Sequence, residues 1–290
     1  MNDLDELVTE AGGGADVDYE LRPTLELVEL INAQDATVAE AVGAAAPQIA
    51  AATDLIVERL ADGGRLVYVG AGTSGGLAEL DAEECATTFS AAPGQVLALR
   101  AESANAEDDL DGGAAAVSGA EISSQDAVVG ISASGRTPFV LGALQAAADA
   151  GAETIALVCV PGSELAELAN HVVAVVVGPE FIAGSTRLKA GTAQKLVLNT
   201  ISTIAMVRLG KTFGNLMVDV DAANEKLRAR VHRIVGTATG ASPEDVDEAL
   251  DAAGGEAKVA IVSLLGRIDA ETARARLREA DGNVRLAISP

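Results

Sequence analysis

The chain has 290 residues, enough for one large α/β domain with an appendage or for two medium-sized domains. Hydrophobic residues make up 49% of it, which excludes a globally disordered protein. Because the chain contains only two Tyr, four Phe and no Trp, its core is built mainly from aliphatic side chains. The net charge of −23 repels nucleic acid and anionic membranes. Together with abundant Ala and scarce Lys, this charge predicts a protein of a salt-rich cytoplasm.

Nothing in the sequence is typical of a membrane or secreted protein. No apolar run reaches the roughly 18 residues that a spanning helix needs. The first ten residues carry acids where a signal peptide carries bases. We therefore expect a soluble, cytoplasmic protein without a membrane partner, in which Cys85 and Cys159 are reduced thiols.

The N-terminal part is predicted to be helical after a polar, glycine-rich start. Residues 1–20 lack a clear pattern, whereas apolar residues recur at helical spacing from Thr24 to the stop at Gly63-Gly64. We assign 1–50 to an N-terminal helical segment, 51–230 to a central domain and 231–290 to a C-terminal helical module.

Four apolar runs in the central domain predict buried β-strands, at 65–70, 126–131, 154–160 and 171–178. They alternate with helical stretches, which is typical of a parallel sheet covered on both faces. We therefore predict an α/β fold, a three-layer sandwich with a central parallel sheet. The turns after the first two predicted strands then open on the same edge of that sheet.

Both of these turns have the composition of a phosphate site. The first reads GAGTSG over 70–75, and the second reads SASGRT over 132–137. Glycine lets backbone N–H groups approach an anion, hydroxyls add donors, and the following helix contributes the positive end of its dipole. The two turns together predict phosphate binding, without the sequence of a Walker loop or of a dinucleotide-binding turn.

A third signal is electrostatic. From Phe181 to Val218 the chain has no Asp or Glu, yet five cations lie there: Arg187, Lys189, Lys195, Arg208 and Lys211. We predict a long helical tract over 185–216, with Ser185, Thr186 and Arg187 closing an anion pocket together with Lys189. Three short helical strings follow from about residue 231, and they predict a small three-helix module.

The residues alone do not single out a catalytic group. His171 and His232 are expected to be structural, and no metal-ligand spacing is present, so we expect no metal. Carboxylates remain for proton chemistry, in a cluster within 79–84 and another within 102–111. Periodicity does not distinguish a catalytic acid among them from solvated surface.

Several strings resemble the N-acetylmuramic acid 6-phosphate etherases, a family of the sugar isomerase (SIS) superfamily. They are GAGTSGGL, LDAEEC, AED, VVGISASGRTPFV, GSTRLKAGTAQKLVLN and GNLMVDV with ANEKL. The resemblance implies a SIS-type, flavodoxin-like phosphosugar-binding domain in a cofactor-free cytosolic lyase. Such an enzyme cleaves the D-lactyl ether of its substrate to N-acetylglucosamine 6-phosphate and D-lactate, and family members are homodimers.

The resemblance also implies roles for particular residues. The catalytic glutamate of the D-A-x-E-C motif falls on Glu84, and the glutamate of the A-E-D motif falls on Glu107. The residues expected to bind the phosphosugar are Gly72, Thr73, Ser74, Ser132, Ser134, Gly135, Arg136, Thr137, Ser185, Thr186 and Lys189.

The chain departs from the family pattern on the sugar side of the expected site. The family usually has Arg at the position of Gly76, and the segment between Glu84 and Glu107 is shorter than usual. Two alternatives stay open: a non-enzymatic phosphosugar-sensing protein of this fold, and an aldose–ketose isomerase. The C-terminal module resembles ubiquitin-associated three-helix bundles, so partner binding there also stays open.

Overall fold

A computed structural model describes residues 18–219 and 225–289 of the chain. The chain forms two compact units. The first unit comprises the residues up to Glu83 together with Gly94–Ser202, and the second comprises Glu84–Pro93 together with the residues from Thr203 onward. The predicted organisation over 1–17 lies outside the described residues.

A five-stranded parallel sheet is the centre of the first unit. Its strands are β1 (Leu66–Gly70), β2 (Val96–Arg100), β3 (Ala127–Ser132), β4 (Glu153–Val158) and β5 (His171–Ala174). Their order across the sheet is β2-β1-β3-β4-β5. Every residue of β1 and of β3 is buried, as expected for strands covered on both faces.

Helices cover the sheet. They are α1 (Thr24–Asp35), α2 (Val38–Ala44), α3 (Ala46–Ala61), α4 (Gly72–Phe89), α5 (Ala104–Glu107), α6 (Leu110–Gly119), α7 (Pro138–Asp149), α8 (Glu164–Leu168) and α9 (Lys189–Arg208). The division between the two units falls inside α4 and α9. The predicted α/β fold with a central parallel sheet is confirmed.

The register places the two predicted phosphate turns side by side. Gly70, the last residue of β1, pairs with Ile131 of β3. The turn that follows β1 and the turn that follows β3 therefore leave neighbouring strands at the carboxyl edge of the sheet, about 5 Å apart. This is the edge at which ligands of open α/β sheets bind.

Three details differ from the prediction. Strand β2 was not predicted, β5 ends at Ala174 instead of residue 178, and the helical tract over 185–216 is a helix only from Lys189 to Arg208. The tract ends because Gly210 adopts a φ of +72° and the N–H of Lys211 donates back to the carbonyl of Met206.

The second unit contains a short antiparallel pair and a group of helices. The pair is β6 (Thr212–Phe213) with β7 (Leu216–Met217), and the helices are α10 (Glu225–Thr239), α11 (Pro243–Ala252), α12 (Ala257–Gly266), α13 (Ala270–Glu279) and α14 (Val284–Ile288). Their apolar faces share a core that includes Val235, Val246 and Ile261. The second and third of the three predicted strings each contain two helices, which are separated at Gly254-Gly255 and at Gly282, where the glycines have positive φ.

No helix in the described part of the chain is both long and apolar enough to cross a membrane.

Candidate active site

The turn after β1 depends on glycine at two positions. A β-carbon on Gly70 would lie 2.8 Å from the backbone nitrogen of Gly75, closer than real atoms approach. Gly72 has a φ of +51°, which glycine adopts more readily than other residues do. The chain thus passes directly from a buried strand into α4, whose first turn carries Thr73 and Ser74.

Glu107 lies beside this turn. A β-carbon on Gly72 would be 3.9 Å from Oε2 of Glu107, which is half-buried at the end of α5. The structure therefore brings the glutamate of the A-E-D motif to the first predicted phosphate turn. Glu84 is an exposed residue of α4 that belongs to the second unit.

The turn after β3 gathers three hydroxyl groups. The Oγ of Ser132 lies 2.9 Å from Oγ1 of Thr137 and 3.4 Å from Oγ of Ser134. The N–H of Gly135 donates to the Ser132 hydroxyl at 3.0 Å, and the N–H of Arg136 donates to the Ser134 hydroxyl at 3.3 Å. The N–H groups thus hold the two serine oxygens in place, and the three hydroxyls form a compact group that suits an oxyanion.

Helix α7 adds its positive end to this set. It begins directly after Thr137, whose side chain does not cap the helix. Pro138 occupies its first position, where the missing N–H is not needed. Gly135 has to be glycine, because its φ is +68° and a β-carbon there would lie 2.0 Å from Oγ of Ser163. The predicted residues 132–137 are thus together at one helix N-terminus.

A buried glutamate starts α9. The carboxylate of Glu180, fully buried, accepts the N–H of Lys189 at 2.9 Å and the N–H of Ala190 at 3.0 Å. Lys189 as a whole residue is 6% exposed, and its ammonium has no ion pair or hydrogen bond with any residue in the described ranges. Sequence reasoning missed Glu180, which directly precedes the acid-free tract.

The first turns of α9 lie against the turn after β1. Oγ of Ser74 donates to Oε1 of Gln194 at 2.9 Å, and the Nε2 of Gln194 is buried without a partner among the described residues. A β-carbon on Gly191 would be 3.4 Å from Cγ2 of Thr73. The half-buried Ser185 and Thr186 lie in the turn that leads into α9. The cationic tract thus adjoins one of the two phosphate turns.

Asp81 is a second buried carboxylate that sequence reasoning did not single out. Its Oδ1 accepts hydrogen bonds from Nδ2 of Asn199 at 2.7 Å and Oγ of Ser202 at 3.1 Å. Its Oδ2 accepts the hydroxyl of Tyr68 at 3.0 Å. These contacts join β1, α4 and α9 beneath the site, within the first unit.

The two cysteines are buried. Burial, together with the charge of the nearby Glu180 carboxylate, raises the pKa of the Cys159 thiol to about 12. Cys159 is therefore a neutral thiol at physiological pH. Within residues 18–219 and 225–289, no group of three His, Cys, Asp or Glu side chains could hold a metal ion.

The chain is similar to known proteins. Residues 29–159 match the SIS domain family. The N-acetylmuramic acid 6-phosphate etherase of Rubrobacter xylanophilus is 54% identical, over 98% of this chain and 97% of that protein. The etherase of the same name from Streptomyces avermitilis is 51% identical, over 99% of this chain and 95% of that protein.

The chain belongs to the N-acetylmuramic acid 6-phosphate etherase family. The resemblance seen in the sequence motifs is therefore confirmed over nearly the full length of these etherases. A solved phosphoheptose isomerase from Francisella tularensis has a TM-score of 0.50 and 21% identity, covering 62% of this chain and 98% of that one. At this identity, it shows that the etherase chain shares the fold of that isomerase.

Proposed function

We propose that this chain is an N-acetylmuramic acid 6-phosphate etherase, a carbon–oxygen lyase that cleaves the D-lactyl ether of its phosphosugar. The observation that carries this proposal is the identity of 51–54% to etherases of that name over almost the whole chain. The products are N-acetylglucosamine 6-phosphate and D-lactate, and one water molecule is consumed.

The substrate phosphate binds, in this proposal, at the turn after β3. The hydroxyls of Ser132, Ser134 and Thr137 converge there at the start of α7. The remaining predicted contacts come from Gly135, Arg136, Gly72, Thr73, Ser74, Ser185 and Thr186. Lys189 supplies the counter-charge, since a buried ammonium without an ion pair is costly unless an anion joins it.

Anchoring the phosphate orients the reacting carbons. In the open-chain sugar the aldehyde at C1 makes the proton on C2 acidic, and one of the carboxylates Glu84 and Glu107 removes it. The C3–O bond then breaks, and the other residue, protonated, donates its proton to the departing lactate. Water adds to C3 of the unsaturated aldehyde, a proton returns to C2, and the ring closes.

Lactate release tests this proposal. Wild-type protein incubated with N-acetylmuramic acid 6-phosphate in high salt is expected to yield D-lactate, measured with D-lactate dehydrogenase. Glu84→Gln is expected to lower the rate by about 100-fold or more, because the amide cannot exchange a proton. Its affinity for N-acetylglucosamine 6-phosphate is expected to change by less than about twofold, since the phosphate contacts are intact.

Two results would contradict the proposal. Wild-type protein that binds the phosphosugar without ever releasing lactate would favour the phosphosugar sensor. Interconversion of an aldose phosphate and a ketose phosphate, with Glu84 and Glu107 both required, would favour the isomerase.

We also propose that the chain is a homodimer. Helix α1 has no buried residue, and apolar side chains are exposed along it and just before it: Leu21, Leu25, Val28 and Ile31. A second copy would cover this stripe. Light scattering measures the molar mass of both proteins: the wild type is expected to be a dimer and Leu25→Glu a monomer. A monomeric wild type would contradict the proposed dimer.

We place the enzyme in a salt-rich cytoplasm, without a nucleic-acid partner. The net charge of −23 supports both points, because it repels polyanions and needs counter-ions. Absence of a mobility shift with duplex DNA or RNA at low salt is the expected result, and saturable binding would contradict it.

A further inference from the structure

Arg100 lies at the edge of the sheet, beside the first phosphate turn, and its side chain runs along α4 from Gly75 toward Glu79. It is the last residue of β2, directly opposite Gly70 of β1. The N–H of the next residue, Ala101, donates to the carbonyl of Gly70 at 3.2 Å. The backbone of Arg100 is thus held beside the first phosphate turn, on the side away from β3.

Two consecutive glycines leave room for its side chain against α4. A β-carbon on Gly75 would lie 2.6 Å from Cγ of Arg100, so no other residue fits there while the arginine keeps this position. A β-carbon on Gly76 would lie 3.9 Å from Nη1 of Arg100. The guanidinium therefore occupies the space next to position 76, which carries no side chain of its own.

Much of the guanidinium remains available. Its Nη1 donates to Oε2 of Glu79 at 2.8 Å, and the side chains of Arg100 and Glu79 are 41% and 45% exposed. Nε and Nη2 have no hydrogen-bond partner in the part of the chain that the structure describes. A cavity of about 630 Å³ adjoins Arg100, and among the described residues that line it Arg100 is the only base, beside the acids Glu79 and Glu102.

This guanidinium and Glu107 lie along the same face of α4. Gly72 and Gly76 are four residues apart in the helix, so they share a face and are separated by about 6 Å along the axis. Gly72 faces the carboxylate of Glu107, and Gly76 faces the guanidinium of Arg100. A cation and a predicted catalytic carboxylate therefore lie about one helical turn apart.

The proposed substrate carries two anionic groups, a phosphate on C6 and the carboxylate of the lactyl ether on C3. The serine-rich turn after β3 and the end of β2 are separated by two strand spacings, about 10 Å. An extended hexose phosphate bearing a lactyl ether spans such a distance. A substrate with its phosphate at the turn after β3 and its C3 substituent directed toward β1 and β2 would bring the lactyl carboxylate to the side where Glu107 and Arg100 are.

We infer that Arg100 recognises the lactyl carboxylate of the substrate and thereby selects phosphosugars that carry this group. The inference rests on the proposed function. The planar guanidinium keeps one donor on Glu79 and offers its other nitrogens to the carboxylate, a pairing that arginine makes with two parallel hydrogen bonds. Glu79 orients the guanidinium but does not contact the substrate.

The test compares two ligands that differ in the lactyl group. Affinities for N-acetylmuramic acid 6-phosphate and for N-acetylglucosamine 6-phosphate are measured by calorimetry in the Glu84→Gln background, where turnover does not consume the ligand. Arg100→Gln is expected to weaken the first by roughly 10- to 100-fold, the range for a lost charge-assisted pair, and the second by less than about twofold. Arg100→Lys is expected to recover part of the loss.

Two control variants separate recognition from structure. Arg59→Gln also removes a positive charge and an ion pair, since Arg59 Nη2 lies 3.0 Å from Oε2 of Glu153, and it is expected to change neither affinity. Glu79→Gln removes the partner of Arg100 while leaving the guanidinium, and it is expected to leave the first affinity unchanged or tighter.

Equal weakening of both ligands by Arg100→Gln would overturn the inference, because it would mean that the arginine only supports the turn. A loss in Glu79→Gln equal to that in Arg100→Gln would overturn it as well. Lactate release by the wild type is measured in a separate assay, which tests the proposed function. A protein that discriminates between the ligands through Arg100 but releases no lactate would retain this inference and lose the proposed function.

Discussion

At the scale of single residues, the carboxylate of Asp81 is the centre of a buried hydrogen-bond network. It is buried and accepts three side-chain hydrogen bonds, from Tyr68, Asn199 and Ser202, with no cation among these donors. A buried donor that loses its acceptor costs more than an average hydrogen bond contributes. Asp81 thus ties β1 and α9 to the helix that follows the first phosphate turn.

We predict that Asp81→Ala lowers the free energy of unfolding by about 2–4 kcal/mol, since three donors lose their acceptor. Ser202→Ala, which removes only one of the three donors, is expected to cost about 1 kcal/mol. Urea unfolding followed by circular dichroism measures both values. Equal losses in the two variants would mean that the carboxylate is not the centre of the network.

A second residue-scale prediction concerns the ion pair of Arg65 and Asp126. Burial alone would raise the pKa of Asp126, but the hydrogen bonds from Arg65 and from the N–H of Ser123, with the charge of Arg65, bring it below its ordinary value. The guanidinium contacts Asp126 at 2.8 Å. The pair therefore stabilises the fold above a pH of about 4, where the unfolded carboxyl is ionised.

This contribution is lost as the pH falls below about 4 and through the folded pKa, where the folded carboxyl takes up its proton. Asp126→Asn is expected to be less stable than wild type at pH 7, and the difference is expected to shrink toward pH 3. Urea unfolding of both proteins across this range measures it. A difference that stays constant with pH would show that the charge of Asp126 is not responsible.

The residues of the two phosphate turns could be predicted from the sequence, whereas the buried residues that support these turns could not. Glycines and hydroxyls after an apolar strand have a recognisable pattern, so the convergence of Ser132, Ser134 and Thr137 was predictable in outline. Glu180 and Asp81 have no such pattern, because their partners lie far away along the chain or are backbone N–H groups. The position of Arg100 against Gly76 required coordinates for the same reason.

At the scale of elements, α6 and α7 cross at unusually short distance. A β-carbon on Gly113 would lie 1.9 Å from the carbonyl oxygen of Phe139, and one on Gly142 would lie 2.0 Å from that of Leu110. The two glycines therefore allow the two backbones to touch. Because α7 begins at the serine-rich turn, this crossing helps to fix where the helix N-terminus points.

We predict that Gly113→Ala destabilises the protein by more than about 2 kcal/mol, because the added methyl group requires the helices to separate. Gly119→Ala is the matched control in the same helix, since a β-carbon there meets nothing within 4 Å. The control is expected to be neutral or stabilising, given the higher helix propensity of alanine. Thermal unfolding ranks the three proteins; similar melting temperatures for both variants would contradict the close crossing.

The elements that sequence reasoning missed are those with the least regular burial. Strand β2 lies at the edge of the sheet, and three of its five residues are half-buried, so it lacks the continuous apolar run of β1 and β3. Strand β5 is shorter than its valine run. The run continues as irregular chain, with the N–H of Val175 still donating to the carbonyl of Val158 at 2.8 Å.

At the scale of the whole molecule, charge repulsion opposes folding. A net charge of −23 on 290 residues destabilises the compact state unless counter-ions screen it. The screening distance falls from about 10 Å at 0.1 M salt to about 3 Å at 1 M. Salt is therefore expected to stabilise this protein more than a protein of ordinary charge.

We predict that the melting temperature rises steadily as KCl increases from 0.1 M to molar concentrations, measured by calorimetry. A control variant with several exposed glutamates of α11 and α13 changed to glutamine (Glu244, Glu248, Glu271 and Glu279) is expected to show a smaller rise. A melting temperature that is independent of salt in both proteins would contradict the role of surface charge.

Cys85 belongs to the second unit and Cys159 to the first, and both are buried. A thiol reagent therefore reaches each cysteine only when the surrounding unit opens. Mass spectrometry can quantify the alkylation of each cysteine-containing peptide along a denaturant series. The two cysteines would then report the opening of each unit separately, and no probe would have to be introduced into the chain.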